Sequence, residues 1–420
     1  MFKSLSRRSF LKSSALTLAA ANSLLPYGAA YASGAPEVTG LKLGFIALTD
    51  SSPLIVAKEK GLFDKFGLTG VEVMKQASWG ATRDNLVLGA DGNGIDGAHI
   101  LTPMAYGLTT GAITADKQPV PMKLLARLNV DGQAISISKA FADLKVGLDA
   151  SPLKAAFAKK KTEGAMAKIA VTFPGGTHDL WMRYWLAAGG IDPNSDVEMI
   201  VVPPPQMVAN MRIGNMDGYC VGEPWNARAI YDKVGYTVAT SQDIWPDHPE
   251  KVLGTTAEFV AKNPNTARAL IMAVLEASKY IEATENRAKV AELISQKSYV
   301  NAPKEVILGR FLGEYDNGNG RKWKDANFMK FFEDGKVPFP YLSDGMWFLT
   351  QHKRWGMLKS DPDYLAVAKK VNRIDIYTQA ASALGISVPP NPMRISKLMD
   401  GTVWDGKDPK AYAASFKIKA

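Results

Sequence analysis

Gly175-Gly176-Thr177-His178-Asp179-Leu180-Trp181, entered from the apolar run Ile169-Ala170-Val171-Thr172-Phe173, is the stretch whose residue types and spacing best suit chemistry. An apolar strand, a double glycine, a threonine in the capping place and then a helix is how an α/β protein turns free backbone N–H groups toward an anion. No nucleotide fingerprint follows. The second helical residue is a histidine, and a neutral imidazole still donates one hydrogen bond. The predicted chemistry is the holding of a small anion, not its transformation. A His178 packed under a loop, with no ligand, is the other reading open at this point.

Four further places offer donors or close backbone approach. Trp79, in Gln76-Ala77-Ser78-Trp79-Gly80, lies between an expected strand and an expected helix and brings one N–H on an apolar wall, which suits a weakly hydrated anion; it could equally close a lobe's rim. Gln133, in Asp131-Gly132-Gln133-Ala134, can donate from its amide or simply be solvated. Lys251, after Asp247-His248-Pro249-Glu250, would supply the positive charge that a bound monoanion needs, yet on position alone it also reads as a surface lysine. In Gly218–Asn226, Gly222 permits close backbone approach, and Glu223 caps a helix or bridges two lobes rather than acting as a general base, since no partner acid or nucleophile accompanies it. His99, His178, His248 and His352 have no metal-ligand spacing and Cys220 is the single cysteine, so neither a metal site nor a Cys/His nucleophile is expected.

The elements that must position these groups alternate. Leu41–Leu48, Val71–Lys75, Ile95–Ile100 and Lys123–Arg127 read as strands, with helices at 52–66 and 81–88 between them, which predicts a parallel sheet covered on both faces. A second series follows Asn129-Val130-Asp131-Gly132: strands 134–138, 168–173, 197–202 and 218–221, with helices 152–161, 177–188, 206–213 and 224–234. Pro203-Pro204-Pro205 shapes one strand-to-helix turn. After Gly254 the pattern turns to long helical runs such as 264–283 and 287–296, expected to return to the first lobe. The fold class predicted is α/β with two doubly wound lobes, lobe 1 comprising 40–130 plus 252–420 and lobe 2 comprising 131–251, two crossings between them and a ligand cleft at the seam.

The N-terminus reads Ser6-Arg7-Arg8-Ser9-Phe10-Leu11-Lys12, then a mildly apolar run from Ser14 to Leu25, then Ala30-Tyr31-Ala32. This is the grammar of a twin-arginine export signal spanning residues 1–32, cleaved near Ala32/Ser33, and it predicts a bacterial periplasmic protein that folds before export. No cysteine stands at the cleavage point, so a freely diffusing protein is expected, not a lipid-anchored one. Removing the segment takes Lys3, Arg7, Arg8 and Lys12 and no acid, and lowers the formal net charge from +9 to +5. That mildly basic surface has no Lys/Arg block interleaved with aromatics, and nucleic acid is not an expected partner.

Taken together, the stretches LGFIALTDSSPLIVAKEKGLF, KQASWGATRDNLVLG, GIDGAHILTPM, TFPGGTHDLWMRYWLAAGGIDP, VVPPPQMVANM and CVGEPWNA closely resemble the periplasmic nitrate-binding proteins of ABC transporters, the NrtA group, whose near relatives bind bicarbonate. The resemblance runs from about Leu41 to near the C-terminus. It implies a two-lobed, type II-like periplasmic binding protein that closes on nitrate, with nitrite also possible. Trp79, Gln133, His178 and Lys251 would line the pocket, and backbone near Pro204 and Gly222 would complete it. Bicarbonate binders of this kind carry a smaller hydroxylated residue in place of His178 and a calcium-linked carboxylate in place of Lys251. The function implied is capture without catalysis and delivery to an ABC permease in the inner membrane, by a monomer needing no cofactor. Nitrate accepts hydrogen bonds and donates none, so a pocket made of donors suits it, whereas the hydroxyl of bicarbonate would go unpaired at about 1–3 kcal/mol. Three alternatives remain: a binder of bicarbonate or another small anion, a nitrate sensor of the same fold, and an enzyme using His178 with Asp179. The last is disfavoured because adjacent helical residues point about 100° apart.

Overall fold

The computed structural model describes residues 34–114 and 116–420, so the expected export segment 1–32 lies outside the described residues. Ten strands build two sheets: β1 (Gly40–Phe45), β2 (Gly70–Lys75), β3 (Gly97–Leu101), β4 (Met122–Val130), β5 (Gln133–Ser138), β6 (Ala167–Val171), β7 (Val197–Val201), β8 (Gly218–Gly222), β9 (Gly235–Thr240) and β10 (Pro249–Thr256). The first sheet has the order β2-β1-β3-β10-β4 and the second the order β7-β6-β8-β5-β9.

Neither sheet is wholly parallel, contrary to the βαβ expectation. β10 runs antiparallel to β3 and β4, and β5 runs antiparallel to β8 and β9. Both are the strands on which the chain enters a sheet from the other lobe. Strands such as β1, β3, β6 and β8 run toward the cleft, so a chain arriving from the cleft must run away from it. The amino ends of β5 and β10 therefore meet the carboxyl ends of the others: Gln133 pairs with Gly222, and Lys251 with Leu101. Strands β9 and β10 are absent from the sequence expectation. GYTVAT and PEKVLGTT carry no clean alternation, and their stability comes from tertiary pairing with partners far along the chain. β10 begins at Pro249, ahead of the seam expected at 251/252, so Lys251 belongs to the first sheet.

The first crossing is the two-residue link Asp131-Gly132. Gly132 has φ +91°, and a Cβ there would come within 2.2 Å of Met329 Cε, so both its conformation and its packing call for glycine. Beyond β10, the helix Pro264–Glu282 buries Ala267, Leu270, Ile271, Val274, Leu275, Ser278 and Ile281, a face that recurs every three or four residues, against the helix Ser52–Glu59 and β4. The remaining C-terminal chain also reaches the second lobe. Trp347 packs against Trp181 with the ring centroids 5.2 Å apart, His352 Nε2 lies 2.8 Å from Gly175 O, and Arg310 pairs with Glu223.

Candidate functional site

In the second lobe, β6 ends at Val171 and the helix Thr177–Ala188 begins six residues on. The expected threonine cap is not made. Gly176 is the N-cap and has no side chain, while Asp179 Oδ2 accepts from Gly175 N at 2.7 Å. Thr177 is thereby released, and its hydroxyl donates to Glu250 Oε1 at 2.7 Å. A Cβ on Gly176 would sit 2.5 Å from Leu101 Cδ1 of the first lobe, so the second glycine serves the close approach of the lobes. His178, fully buried, has Nδ1 2.6 Å from Thr172 Oγ1 and leaves Nε2 without a partner.

In the first lobe, Ser78 caps the helix Trp79–Leu88 by accepting from Ala81 N at 3.1 Å. Trp79, the first residue of that helix, is fully buried and its Nε1 has no partner. Its ring lies 5.5 Å from that of His99 and 5.7 Å from Lys251 Nζ. Lys251 is also fully buried, and its ammonium donates to Asp50 Oδ2 at 2.8 Å and to Glu250 Oε1 at 2.5 Å. An ammonium has three N–H donors, so one remains for a ligand. Two consecutive strand residues ordinarily face opposite ways. Here the register slips between Pro249 and Lys251, so that Glu250 has no residue opposite it; this bulge brings both side chains to the cleft.

Asp50 Oδ1 in turn holds His99 Nε2 at 2.7 Å. Gln133 Nε2 donates to Thr177 Oγ1 at 3.2 Å, and Gln133 Oε1 has no partner. Gly222, at the end of β8, is so close to the first lobe that a Cβ there would be 3.2 Å from Leu48 and 3.5 Å from Asp50 Oδ2. The structure thus brings Trp79, Gln133, His178, Lys251 and Gly222 into one buried cluster spanning both lobes. Pro204 is buried in the turn after edge strand β7, with its carbonyl accepting from Met207 N.

Charge is distributed unevenly in the cluster. Burial pushes Asp50 up, but Lys251 and His99 outweigh it and hold the carboxyl at about 2. Burial, only partly opposed by Lys251, pushes Glu250 up to about 7. Burial opposes the charge on Lys251, yet Asp50 and Glu250 together hold the ammonium above its ordinary value. His178 is driven well below the imidazole range by burial and by the charge of Lys251. It is therefore neutral at physiological pH. A neutral imidazole that accepts the Thr172 hydroxyl proton on Nδ1 carries its own hydrogen on Nε2, the unpartnered atom.

Sequence reasoning missed Asp50, His99, Glu250 and the role of Thr177. Asp50 follows β1 at its carboxyl end, where ligand groups of α/β sheets gather, and that rule was enough to single it out. No local signal marks the bulge that turns Glu250 inward. Glu223 performs both of the tasks open to it: Oε2 caps by accepting from Ala227 N at 3.1 Å, and Oε1 accepts from Arg310 Nη1 at 2.5 Å.

Two five-stranded sheets flanked by helices, joined by two crossings around a buried polar cluster, define the two-lobed periplasmic-binding-protein fold. The chain belongs to the NMT1-like family, whose model matches residues 34–295, and within it to the family of the NrtA nitrate/nitrite-binding proteins. The nitrate/nitrite binding protein NrtA of Synechocystis is 50% identical over 391 residues, covering 92% of this chain and 86% of that protein. The crystal structure of the periplasmic nitrate-binding protein NrtA from Synechocystis matches with a TM-score of 0.88 at 49% identity, over 92% of this chain and 100% of that one. The bicarbonate-binding protein CmpA of Synechococcus is 38% identical over 396 residues, covering 91% of this chain and 88% of that protein.

Proposed function

We propose that this protein captures nitrate, and nitrite with it, in the interlobe cluster and delivers it to an ABC importer in the inner membrane. The observation that carries this reading is the pair of fully buried, unpartnered ring nitrogens Trp79 Nε1 and His178 Nε2, one from each lobe, beside the remaining N–H of Lys251; His178 Nε2 is a donor in the tautomer whose Nδ1 accepts from Thr172. A buried polar group without a partner costs about 1–3 kcal/mol, and a ligand that only accepts hydrogen bonds removes that cost at every donor it meets. The carboxylates of Asp50 and Glu250 are engaged by His99, Lys251, Thr177 and Trp181. The NrtA relatives, named as nitrate/nitrite binders, favour the same ligand.

The reading is one of binding without turnover. His178 is engaged with Thr172, whereas Asp179 accepts from Gly175 N and from Arg183, so the two do not act as an acid/base pair. The twin-arginine grammar of residues 1–32 supports a periplasmic site of action, and a monomer docking both lobes on the permease is the simplest delivery. The test is a calorimetric titration with nitrate, nitrite and bicarbonate, each with and without calcium. Saturable binding of nitrate and nitrite that ignores calcium is expected; calcium-dependent bicarbonate binding with no response to nitrate would reverse the assignment.

A further inference from the structure

Gln133 presents the cluster with the wrong atom for nitrate. Its Nε2 donates to Thr177 Oγ1 at 3.2 Å and Thr177 Oγ1 donates to Glu250 Oε1 at 2.7 Å, which leaves the Gln133 carbonyl oxygen buried and unpartnered. An acceptor-only ligand cannot use that oxygen. The direction of the chain follows from Glu250 being a carboxylate, which can only accept. A proton on Glu250 reverses every link. Its Oε1–H then donates to Thr177 Oγ1, the threonine donates to Gln133 Oε1, and the amide, turned over about its last bond, presents an N–H in place of the orphaned oxygen.

A count of charge leads to the same place. Among the described residues, Lys251 is the cation in direct contact with the two carboxylates Asp50 and Glu250, and all three side chains are fully buried. With both acids ionised and the histidines neutral, the cluster carries one net negative charge, and a monoanion would make it two in a region shut off from solvent. Uncompensated buried charge of this kind is relieved by protonation.

We propose that nitrate binds together with one proton taken from solvent and held on Glu250, and that this proton, by reversing the hydrogen bonds that run through Thr177, turns Gln133 into a donor to the anion. Glu250 and Thr177 are then positioning residues that set affinity and favour a ligand with no hydrogen of its own. The inference rests on the nitrate reading above. Burial already places the Glu250 carboxyl at about 7, while Asp50 is held at about 2 by Lys251 and by its hydrogen bond with His99, so Glu250 is the group that takes the proton.

The groups facing Glu250 are accounted for on each side. Lys251 is beside it on β10, Asp50 approaches from the loop after β1, and Thr177 and Trp181 Nε1 (3.4 Å) come from the helix Thr177–Ala188. His248 Nδ1 lies 3.6 Å away on the turn before β10, and Cys220 lies on β8. Burial holds His248 at about 3 and raises the Cys220 thiol well above its ordinary value, so neither exchanges a proton near neutrality.

The experiment is calorimetry of the purified protein with sodium nitrate at about pH 8, in buffers of different ionisation enthalpy, together with affinities from about pH 6 to 9. About one proton should be taken up per nitrate, and above the Glu250 midpoint the affinity should fall roughly tenfold per pH unit. Glu250→Gln, whose amide can donate to Thr177 permanently, should bind with no proton exchange and a flat pH profile. Thr177→Val should keep the uptake and lose roughly three- to tenfold in affinity, because the relay is cut. Nitrate binding with no proton exchange, or Glu250→Gln retaining the wild-type uptake, overturns the proposal and leaves the nitrate reading intact. No heat with nitrate at any pH overturns the nitrate reading instead. The wild-type measurement is decisive on its own should the variants not fold.

Discussion

Replacing Lys251 with glutamate is expected to abolish nitrate binding in calorimetry, and replacing it with methionine to weaken binding by roughly ten- to a hundredfold, corresponding to about 1.5–3 kcal/mol for one charge-assisted hydrogen bond. The ammonium is fully buried and spends two of its donors on Asp50 and Glu250. Its third donor and its charge are what a desolvated monoanion has to rely on. In the glutamate variant three acids would share one buried space, and an added anion would have no counter-charge. In the methionine variant the packing is largely kept, Asp50 retains His99 at 2.7 Å, and Glu250 can relieve itself by protonation, so a folded protein with impaired binding is the outcome sought. Circular dichroism distinguishes that outcome from unfolding. Unchanged affinity in folded Lys251→Met would remove Lys251 from the site.

Glu223→Ala should cost about 3–5 kcal/mol of stability, read as a drop in the urea midpoint. Glu223 and Arg310 form an ion pair whose side chains are 5% and 4% exposed. Arg310 Nη2 donates further to Thr237 Oγ1 at 2.7 Å, and its guanidinium lies 5.3 Å from the centre of the Tyr315 ring. Removing the carboxylate strands a guanidinium in a dry environment and also uncaps the helix Trp225–Tyr231, while Glu223→Gln, keeping shape and an acceptor, should cost less. The pair ties the C-terminal segment to the second lobe, so the loss should be global. A change below about 1 kcal/mol would show that solvent reaches Arg310.

Strands and helices that follow one another locally were legible in the chain. β2, β6 and β7 each fall within a residue or two of the expected apolar run, β1 ends three residues short of its run, and the helix Pro264–Glu282 shows its apolar face directly in the sequence. β9 and β10 were not, because what makes them strands is pairing with β5, β3 and β4 across long stretches of chain. The same divide runs through the site. Gly175-Gly176 and His178 stand out because a strand-to-helix turn is a local pattern, although the expected threonine cap gives way to a long-range bond to Glu250. Lys251 reads as a surface lysine on position alone, and only the resemblance to a family favours the ligand role over that reading. Asp50 and Glu250 acquire their meaning from Lys251, and Glu250 reaches it through a one-residue bulge that no spacing rule reveals.

The claim on which the rest depends is that donors from the two lobes close on one nitrate. A crystal structure grown with nitrate tests it most directly. One planar anion is expected between the lobes, with its oxygens within hydrogen-bond distance of Trp79 Nε1, His178 Nε2 and Lys251 Nζ, and with Gln133 turned so that its amide nitrogen faces the ligand. An anion held elsewhere on the protein, with Trp79 Nε1 and His178 Nε2 still unpartnered, would contradict it.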